Sequence, residues 1–486
     1  MADLRRSLVI NFFSSSGAAL LQFVVSLILA RILSPSEIGI YSMTIVVVNL
    51  GHVFRDFGVG AYIQREKDLT PEKLRAASGV AFAVSWLIAL LLLLASSWIG
   101  VWFNEPRIVP VMRVLAAGFF FIPFGSITNA LLARNFEAKK EAFLWAVGTG
   151  SFSVSCIVLA KLGLGTMALA YANLINIIAC GIGCAFVRPK NLPWLPSFRH
   201  WRGIAHFGVG SLLSSCAGSI NNAVPDLLLG KIGSPTMVGL LSRANSTVAI
   251  FTYIAGSTVS YGAVSYLAQT YHRGESMAPI MSRATALLTG VGWAALALTA
   301  ILGHDIVLAL YGPTWLSAVP AILPLTLSAA VGMMFHYVPM AVTAIGRPYL
   351  STVPTMVSVA ARIGFGVLLF NGSLVHFAWA LCFATWATAP VIAAQQRRHL
   401  GYPTRVMLRA LLPSASVAAG TGLTGFLMQL ALPSSLPALV RLLIMLLPLA
   451  AVWYLLLRAT NHVLVDEVHR LVNPIRARLG LLRPNV

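Results

Sequence analysis

The sequence predicts an all-α integral membrane protein with about 14 transmembrane helices. Of its 486 residues, 58% are hydrophobic and only 10% are charged, whereas a soluble domain carries roughly 25% charged residues. Mean hydropathy is +0.83. Runs such as 80–101 are apolar on every face, as expected for helices of about 20 residues that cross the bilayer. A β-barrel is excluded, because its strands alternate between apolar and polar residues.

Charged residues and Pro, Gly or Asn breaks divide the chain into fourteen predicted spans. They lie near 7–31, 37–63, 77–103, 110–133, 141–160, 166–187, 203–230, 236–264, 284–303, 316–344, 349–371, 375–395, 410–430 and 437–457. Prolines inside spans favour bends, since each removes a backbone donor; these are Pro123, Pro225, Pro324, Pro339, Pro354 and Pro390. Residues 459–486 mix apolar and basic side chains and predict an amphipathic helix on the inner leaflet.

The basic residues predict the orientation. Net charge is +20, yet no basic domain lies outside the spans, so the charge indicates topology rather than nucleic-acid binding. With the N-terminus inside, 25 basic residues fall on the cytoplasmic side and four fall outside, a strong positive-inside bias. Both termini are therefore predicted to be cytoplasmic. The apolar run before Arg31 lacks a small-x-small cleavage site and is interpreted as span 1 rather than a signal peptide.

The chain repeats itself at an offset of 200 residues. Residues Leu29–Gly39 align without gaps with Leu229–Gly239, and Ser42 aligns with Ser242. Because six spans separate the copies, both begin on the same side, so the repeats are parallel, as in transporters with two six-helix lobes. The predicted domains are an N-lobe at 1–195, a C-lobe at 196–400, spans 13 and 14 at 401–458, and a cytoplasmic tail at 459–486.

Three segments resemble the Wzx-type polysaccharide flippases of the multidrug/oligosaccharidyl-lipid/polysaccharide superfamily. These are Leu29–Tyr41 (LARILSPSEIGIY), Phe54–Gly60 (FRDFGVG) and Leu131–Lys140 (LLARNFEAKK). The resemblance covers spans 1–6 closely and spans 7–14 mainly through architecture. It implies a V-shaped pair of six-helix lobes, with spans 13 and 14 forming a groove for a lipid tail.

The resemblance also implies a function. Such proteins flip undecaprenyl-diphosphate-linked oligosaccharide repeat units across the bacterial inner membrane by alternating access, for exopolysaccharide, capsule or O-antigen (lipopolysaccharide) synthesis. The implied partners are this lipid-linked oligosaccharide, membrane lipids, a polysaccharide polymerase and a chain-length regulator.

Charged side chains inside the bilayer are costly unless they face protein or water, so they are candidates for function. Within the predicted spans they are Arg55, Asp56, Arg113, Asp226, Arg243, Arg362 and Arg441. Arg55, Arg243 and Arg362 lie deepest, and Arg113 and Arg441 lie near the outer ends, where snorkelling explains a charge. Since the guanidinium fork grips phosphate oxygens in pairs, the predicted substrate-binding residues are Arg55, Arg243, Arg362 and Arg113. The alternative is that these arginines pair with acids and lock helices together.

Asp226 and Asp56 are the predicted ion-coupling residues, because a desolvated carboxylate binds a proton or sodium. For Asp226 the alternative is a structural partner for Arg243 or Lys231. Arg55 and Asp56 are adjacent, so their side chains are predicted to diverge by about 100° and not to pair. No metal, catalytic residue or cofactor is predicted, although transport is expected to use an H⁺ or Na⁺ gradient.

Two alternative functions remain at this point. A cation-coupled multidrug exporter of the same superfamily favours an acidic cavity, whereas this chain has three deep arginines against two acids. A polysaccharide polymerase usually carries a large periplasmic loop, and the predicted outward loops are short. The chain has no Walker loop, so the prediction is a transporter and not an enzyme.

Overall fold

The structure is a computed structural model that describes residues 2–56, 58–135, 137–189, 196–198, 201–260 and 263–467, without the side chains of 2–16, 202–203, 205–211, 213–215, 250–260 and 263–265. Within these residues all regular structure is helical. The first nine helices are α1 (Ala2–Ile32), α2 (Pro35–Asp56), α3 (Val59–Arg65), α4 (Pro71–Trp102), α5 (Ile108–Phe121), α6 (Pro123–Arg134), α7 (Ala138–Lys161), α8 (Thr166–Val187) and α9 (Trp201–Ile232).

The remaining helices continue in chain order. They are α10 (Pro235–Ser260), α11 (Ala263–His272), α12 (Ala278–Ile301), α13 (Gly303–Leu310), α14 (Val319–Met334), α15 (Val338–Ala344), α16 (Thr352–Leu369), α17 (Leu374–Leu400), α18 (Thr404–Ala431) and α19 (Ala438–Ala459). Short 3₁₀ turns at Pro313–Ala318 and Pro348–Ser351 lead into α14 and α16. Compact packing divides the chain into two units, the first ending at Gly239 and the second beginning at Leu240.

The helices confirm the predicted fold class. Among the described residues, ten helical segments are long and apolar enough to cross a membrane, and the bent pair α5–α6 makes an eleventh. The helices α1, α9 and α10 have 31, 32 and 26 residues, beyond the ~20 residues that a span needs. They complete the fourteen predicted spans. The predicted helix beyond residue 467 lies outside the described residues.

The two Ser-Pro turns confirm the repeat at the level of helix ends. Helices α1 and α9 end at Ile32 and Ile232, and the next helices begin at Pro35 and Pro235, each pair offset by 200. In the first copy the Ser34 backbone N–H donates to Glu37 Oε2 over 2.8 Å, and the Glu37 N–H donates to Ser34 Oγ over 3.3 Å. This reciprocal capping box satisfies donors that a helix start leaves unpaired.

The two turns contact each other backbone to backbone inside the first unit. A Cβ atom on Gly39 would overlap the carbonyl oxygen of Pro235, and one on Gly239 would overlap that of Pro35. Both positions therefore require glycine, because any side chain would force the helices apart. Helix α9 also packs against α2, α3 and α4. The first helix of the second repeat thus belongs to the first compact unit, while the predicted lobe boundaries stay predictions.

In the second unit, α18 packs against α12 and α19. His462, just after α19, is 3% exposed and lies 2.9 Å from Ser414 Oγ through Nε2. Its Nδ1 accepts the Leu464 backbone N–H at 3.1 Å, so Nε2 carries the proton. His462 thus anchors the chain segment that follows α19 against helices α12 and α18.

Candidate functional site

A polar cavity of about 560 Å³ lies in the first unit where two helices are broken. Helix α2 stops at Asp56 and α3 starts at Val59, while α5 and α6 meet at a 58° bend around Ile122. The cavity is lined by Arg55, Asp56, Gly58, Val59, Gly60, Ala61, Gln64, Ala81, Ser85, Ile122, Ser126, Asn129 and Ala130.

Local sequence explains both breaks. Gly58 has φ 64° and ψ 7°, a left-handed conformation that glycine adopts without penalty. Pro123 begins α6 and has no N–H to continue the hydrogen bonding of α5. Irregular backbone at membrane depth is tolerated where it lines a polar cavity, and both breaks line this one. The sequence pattern predicts the bend at Pro123 but not the break at Gly58.

Arg55 and Asp56 form an ion pair at the cavity, so the prediction that adjacent side chains diverge is wrong. Arg55 Nε lies 3.0 Å from Asp56 Oδ1, and Nη2 contacts the same oxygen. The physical reason is that α2 ends at Asp56, where the long arginine side chain can fold back on its neighbour. Exposure is 21% for the Arg55 side chain and 67% for that of Asp56. Among the described residues, only Oδ1 of the Asp56 carboxylate is engaged, and this exposed side chain lines the cavity.

Uncharged polar side chains complete the lining. Gln64 and Asn129 are exposed to the cavity, Ser126 is half-buried, and Ser85 is 1% exposed. Amides and hydroxyls both donate and accept hydrogen bonds, so the cavity suits a ligand with many oxygens. Sequence reasoning missed these four residues, because single uncharged polar residues in apolar helices carry no spacing signal.

Arg134 joins the two half-helices that flank the cavity. Its Nη1 donates to the carbonyl of Glu66 over 2.6 Å and also to that of Ile63, which caps the C-terminal end of α3. Arg134 itself ends α6, and apolar residues including Val59, Ile63, Ile127 and Leu131 pack between the two helices. Helices α3 and α6 are therefore held as one block next to the cavity.

A second cavity of about 400 Å³ lies among α1, α6, α7 and α8. Its lining is Gln22, Asn129, Glu141, Leu144, Trp145, Gly148, Thr149, Asn176 and Cys180. Asn129 lines both cavities, so the two meet at its side chain. None of the nine lining residues is cationic, in contrast to the first cavity with Arg55.

Arg243 lies on α10 in the second unit, packed against aromatic rings. Its guanidinium carbon is 5.6 Å from the ring centre of Tyr311 and 5.3 Å from that of Trp315, and the residue is 8% exposed. Both rings are almost completely buried. Cation–π contacts of this kind stabilise a desolvated arginine. Its predicted role as a phosphate ligand is untested by this geometry and stays a prediction.

The other two predicted phosphate ligands are not among the residues that line the first cavity. Arg362 is half-buried in the middle of α16, in the second unit. Arg113 is exposed on α5, with Nε 3.4 Å from the hydroxyl of Ser96 on α4. Arg55 is the one predicted arginine that lines a cavity described here, and the roles of Arg362 and Arg113 stay predictions.

Arg441 does not snorkel, which corrects the prediction for this residue. Its Nη2 donates to Asp305 Oδ1 over 2.5 Å, with side chains 13% and 1% exposed. Hydropathy assigned Asp305 to an outward loop, whereas the structure buries it in the eight-residue helix α13, which packs against α19. Residues Leu302, Ile306, Met445 and Leu449 form a buried apolar cluster where α13 packs on α19. The physical cause is that α13 packs against α19 and supplies the Asp305 carboxylate as a buried partner for Arg441.

Asp226 is half-buried in α9, directly after Pro225. No ion pair reaches it within 4.0 Å from any residue that the structure describes. The Lys231 ammonium instead donates to the carbonyl of Trp102 over 2.6 Å and lies 5.5 Å from the ring centre. The pairing of Asp226 with Lys231 is therefore wrong, and its role in ion coupling stays a prediction.

The fold defines the class as multi-pass membrane proteins built like the transporters MurJ and MATE. The structure of the lipid II flippase MurJ in an inward closed conformation matches with a TM-score of 0.75 and 13% identity, covering 93% of this chain and 99% of that one. An inward-facing multidrug resistance MATE family transporter of the MOP superfamily matches with a TM-score of 0.65 and 16% identity, covering 79% and 94%. At these identities the likeness concerns the fold.

The chain belongs to the polysaccharide biosynthesis protein family, whose model matches residues 28–320. This agrees with the resemblance seen in the sequence. The succinoglycan biosynthesis transport protein ExoT of Rhizobium meliloti (strain 1021) is 22% identical over 324 residues, 66% of this chain and 65% of that protein.

Two further relatives are also named as biosynthesis proteins. The lipopolysaccharide biosynthesis protein WzxC of Escherichia coli (strain K12) is 27% identical over 124 residues, 26% of this chain and 25% of that protein. The teichuronic acid biosynthesis protein TuaB of Bacillus subtilis (strain 168) is 21% identical over 329 residues, 66% of each. The chain thus spans 65% of ExoT, 66% of TuaB and a quarter of WzxC.

Proposed function

We propose that the protein flips undecaprenyl-diphosphate-linked oligosaccharide across the bacterial inner membrane by alternating access. Both termini would lie in the cytoplasm, and the product would enter exopolysaccharide, capsule or O-antigen synthesis. Membership of the polysaccharide biosynthesis family supports the pathway, and the fold shared with MurJ supports the type of protein. A polymerase and a chain-length regulator are the proposed partners.

The observation that carries the proposal is the arginine at the broken helices. Arg55 lines a polar cavity of about 560 Å³, large enough for a head group. A diphosphate presents several anionic oxygens, and a guanidinium binds such oxygens in pairs. The four uncharged polar lining residues supply further hydrogen bonds. Arg113, Arg243 and Arg362 remain proposed as additional phosphate ligands along the transport path.

The ion pair suggests how binding is coupled to an ion. Asp56 and a phosphate would compete for the same guanidinium, because Arg55 Nε and Nη2 both contact Asp56 Oδ1. A diphosphate that takes Arg55 leaves the exposed Asp56 carboxylate beside an anion, where a proton or sodium ion relieves the repulsion. Asp226 is the second proposed ion-coupling residue.

The first experiment measures binding of undecaprenyl diphosphate to the full chain in nanodiscs. Charge-assisted hydrogen bonds contribute roughly 1.5–3 kcal/mol, so Arg55→Ala should raise Kd by roughly tenfold or more. The Kd of Arg55→Lys should lie between those of the wild type and Arg55→Ala, because lysine keeps the charge but loses the guanidinium fork. Arg458→Ala is the matched control, because Arg458 is an exposed arginine in the last turn of α19.

The same Arg55 variants should also change polysaccharide export in cells. Arg55→Ala should reduce polysaccharide export and accumulate lipid-linked oligosaccharide on the cytoplasmic leaflet, at unchanged protein level. Competition with a cationic dye distinguishes the drug-exporter alternative. If undecaprenyl diphosphate does not bind the wild-type protein while the dye does, the proposed function is wrong.

A further inference from the structure

The second cavity differs in chemistry from the first. Where the first contains Arg55 and Asp56, the second is lined by amides, one hydroxyl, one carboxyl group and an indole. Trp145 is 52% exposed although it lines a cavity. About half of this tryptophan is therefore free of contact with the rest of the protein.

The polar lining residues of the second cavity come from four helices. Gln22 lies on α1, Asn129 on α6, Glu141 on α7 and Asn176 on α8. Asn129 Oδ1 and Asn176 Oδ1 accept from the thiols of Cys184 and Cys180, at 3.8 and 3.3 Å. Within the described part of the chain, neither amide nitrogen donates a hydrogen bond. Both nitrogens therefore have donor capacity left for a ligand.

Tight packing of α7 on α8 fixes this arrangement. A Cβ atom on Gly148 would lie 2.7 Å from Cys180 Sγ and 2.8 Å from Asn176 Oδ1. Glycine at position 148 lets the two helices approach closely, and the thiol orients the Asn176 amide. Trp145 and Thr149 lie about one turn apart on α7 and both line the cavity.

An apolar ring face bordered by amides and a carboxylate matches a sugar ring. A pyranose has a C–H face that packs on an aromatic ring and a rim of hydroxyls that both donate and accept. Amides donate and accept, and a carboxylate accepts. The absence of a cation among the nine lining residues argues against a second phosphate.

We propose that the second cavity binds a hexose or acetamido-hexose of the lipid-linked glycan, with Trp145 as the stacking platform and Glu141, Asn129 and Asn176 as hydrogen-bond partners. The proposal rests on the proposed function and deepens it. Because Asn129 lines both cavities, a sugar here adjoins a diphosphate at Arg55. The first sugar is then recognised with the head group, while later sugars of the repeat unit extend away.

The test compares two ligands on the full chain in nanodiscs: undecaprenyl diphosphate alone, and the same lipid carrying glucose, galactose or N-acetylglucosamine. In the wild type at least one sugar should lower Kd. Trp145→Ala should remove that gain, raising Kd for the sugar-bearing lipid about tenfold, the change that 1.4 kcal/mol produces. The affinity of the Trp145→Ala variant for undecaprenyl diphosphate without a sugar should equal that of the wild type.

Four variants make the result specific. Trp145→Phe keeps a ring face and should retain most of the sugar gain, and Glu141→Gln, which keeps the shape, should lose part of it. Trp98→Ala removes a tryptophan that is 69% exposed on α4 outside the cavity and should behave as wild type. Arg55→Ala should weaken binding of both ligands equally, which distinguishes the contribution of the first cavity from that of the second.

Each other outcome overturns the proposal. If undecaprenyl diphosphate binds but no sugar adds affinity, or if Trp145→Ala leaves the gain intact, the cavity does not bind sugar and the proposed function survives. If Glu141→Gln abolishes a sodium or pH dependence of binding without touching the sugar gain, the cavity is a cation site. If neither lipid binds, the proposed function itself fails.

Discussion

The two compact units each contain an ion pair within membrane-crossing structure, and the pairs differ in access. In the first unit Arg55 and Asp56 lie at a helix break and face a cavity, with side-chain exposures of 21% and 67%. In the second unit Arg441 and Asp305 are 13% and 1% exposed, where α13 packs against α19. The same residue types therefore fit different roles, and contact with a cavity indicates which pair can exchange its partner for a ligand.

The largest expected effect comes from breaking the buried pair. Asp305→Ala leaves Arg441 buried without its partner, which typically costs about 3–5 kcal/mol. The apparent Tm should fall by roughly 10 °C, given about 2–4 °C per kcal/mol for a unit of this size. Differential scanning fluorimetry in detergent measures this shift.

A double variant is the control for the buried pair. Asp305→Leu with Arg441→Met replaces both charges by apolar groups, which is often neutral for a buried pair, and should recover most of the lost Tm. A Tm that Asp305→Ala leaves unchanged would mean that water reaches Arg441, and the contrast between the two units would disappear.

Arg243 provides the next effect in size. Two desolvated cation–π contacts stabilise the folded state by about 2 kcal/mol or more, so Arg243→Gln should lower the apparent Tm by roughly 4–8 °C. Because Arg243 is also proposed as a phosphate ligand, Arg243→Gln should in addition raise the Kd for undecaprenyl diphosphate by roughly tenfold. An unchanged Kd at a lowered Tm would show that Arg243 serves the aromatic packing alone and would remove it from the proposed phosphate ligands.

The ion pair of Arg55 and Asp56 at the cavity should show the reverse pattern, with a small effect on Tm and a larger effect on binding. Ion pairs open to solvent contribute about 0–1 kcal/mol, so Asp56→Asn should shift the apparent Tm by no more than roughly 4 °C. Removing the competitor for Arg55 should strengthen binding of undecaprenyl diphosphate several-fold. Isothermal titration of the variant and the wild type measures this change. A large loss of Tm would show that this pair is structural like the one at Asp305.

The smallest effect is expected at the ion pair of Glu105 and Arg107 in the loop between α4 and α5. This pair lies outside the membrane-spanning helices and serves as a comparison for the other two. Hydrogen bonds from Arg107, at 2.8 Å, hold the pKa of Glu105 below its usual range. A lowered carboxyl pKa adds stability that is present above the unfolded-state pKa and lost as pH falls through the folded-state pKa. Glu105→Gln should therefore lower Tm by at most roughly 4 °C at pH 7, and this difference should shrink as the pH falls through the folded-state pKa. A Tm difference that stays the same across the acidic range would contradict this origin.

The sequence predicts the fold far better than the site. Hydropathy and the Ser-Pro repeat predict that spans 1 and 7 end near residues 31 and 230, and the helices end at Ile32 and Ile232. The agreement is close because apolar length and turn chemistry are local properties. Asp305 is missed, since the eight-residue helix α13 is too short for a hydropathy window of about 19 residues. The polar lining at Gln64 and Asn129 is missed because it arises from tertiary packing. Arg55 is predicted as a site residue from charge alone, and the structure adds its cavity.

The reciprocal contact of Gly39 with Pro235 and of Gly239 with Pro35 has the form of an isologous interface, in which residue i meets j and j meets i. In a dimer of identical chains, such symmetry obliges every position to carry the same side chain twice. A single chain is free of that constraint: Met43 stands in one copy where Arg243 stands in the other, and Ser26 where Asp226 stands. Covalent fusion thus lets the protein place one costly intramembrane charge where a symmetric dimer has to place two.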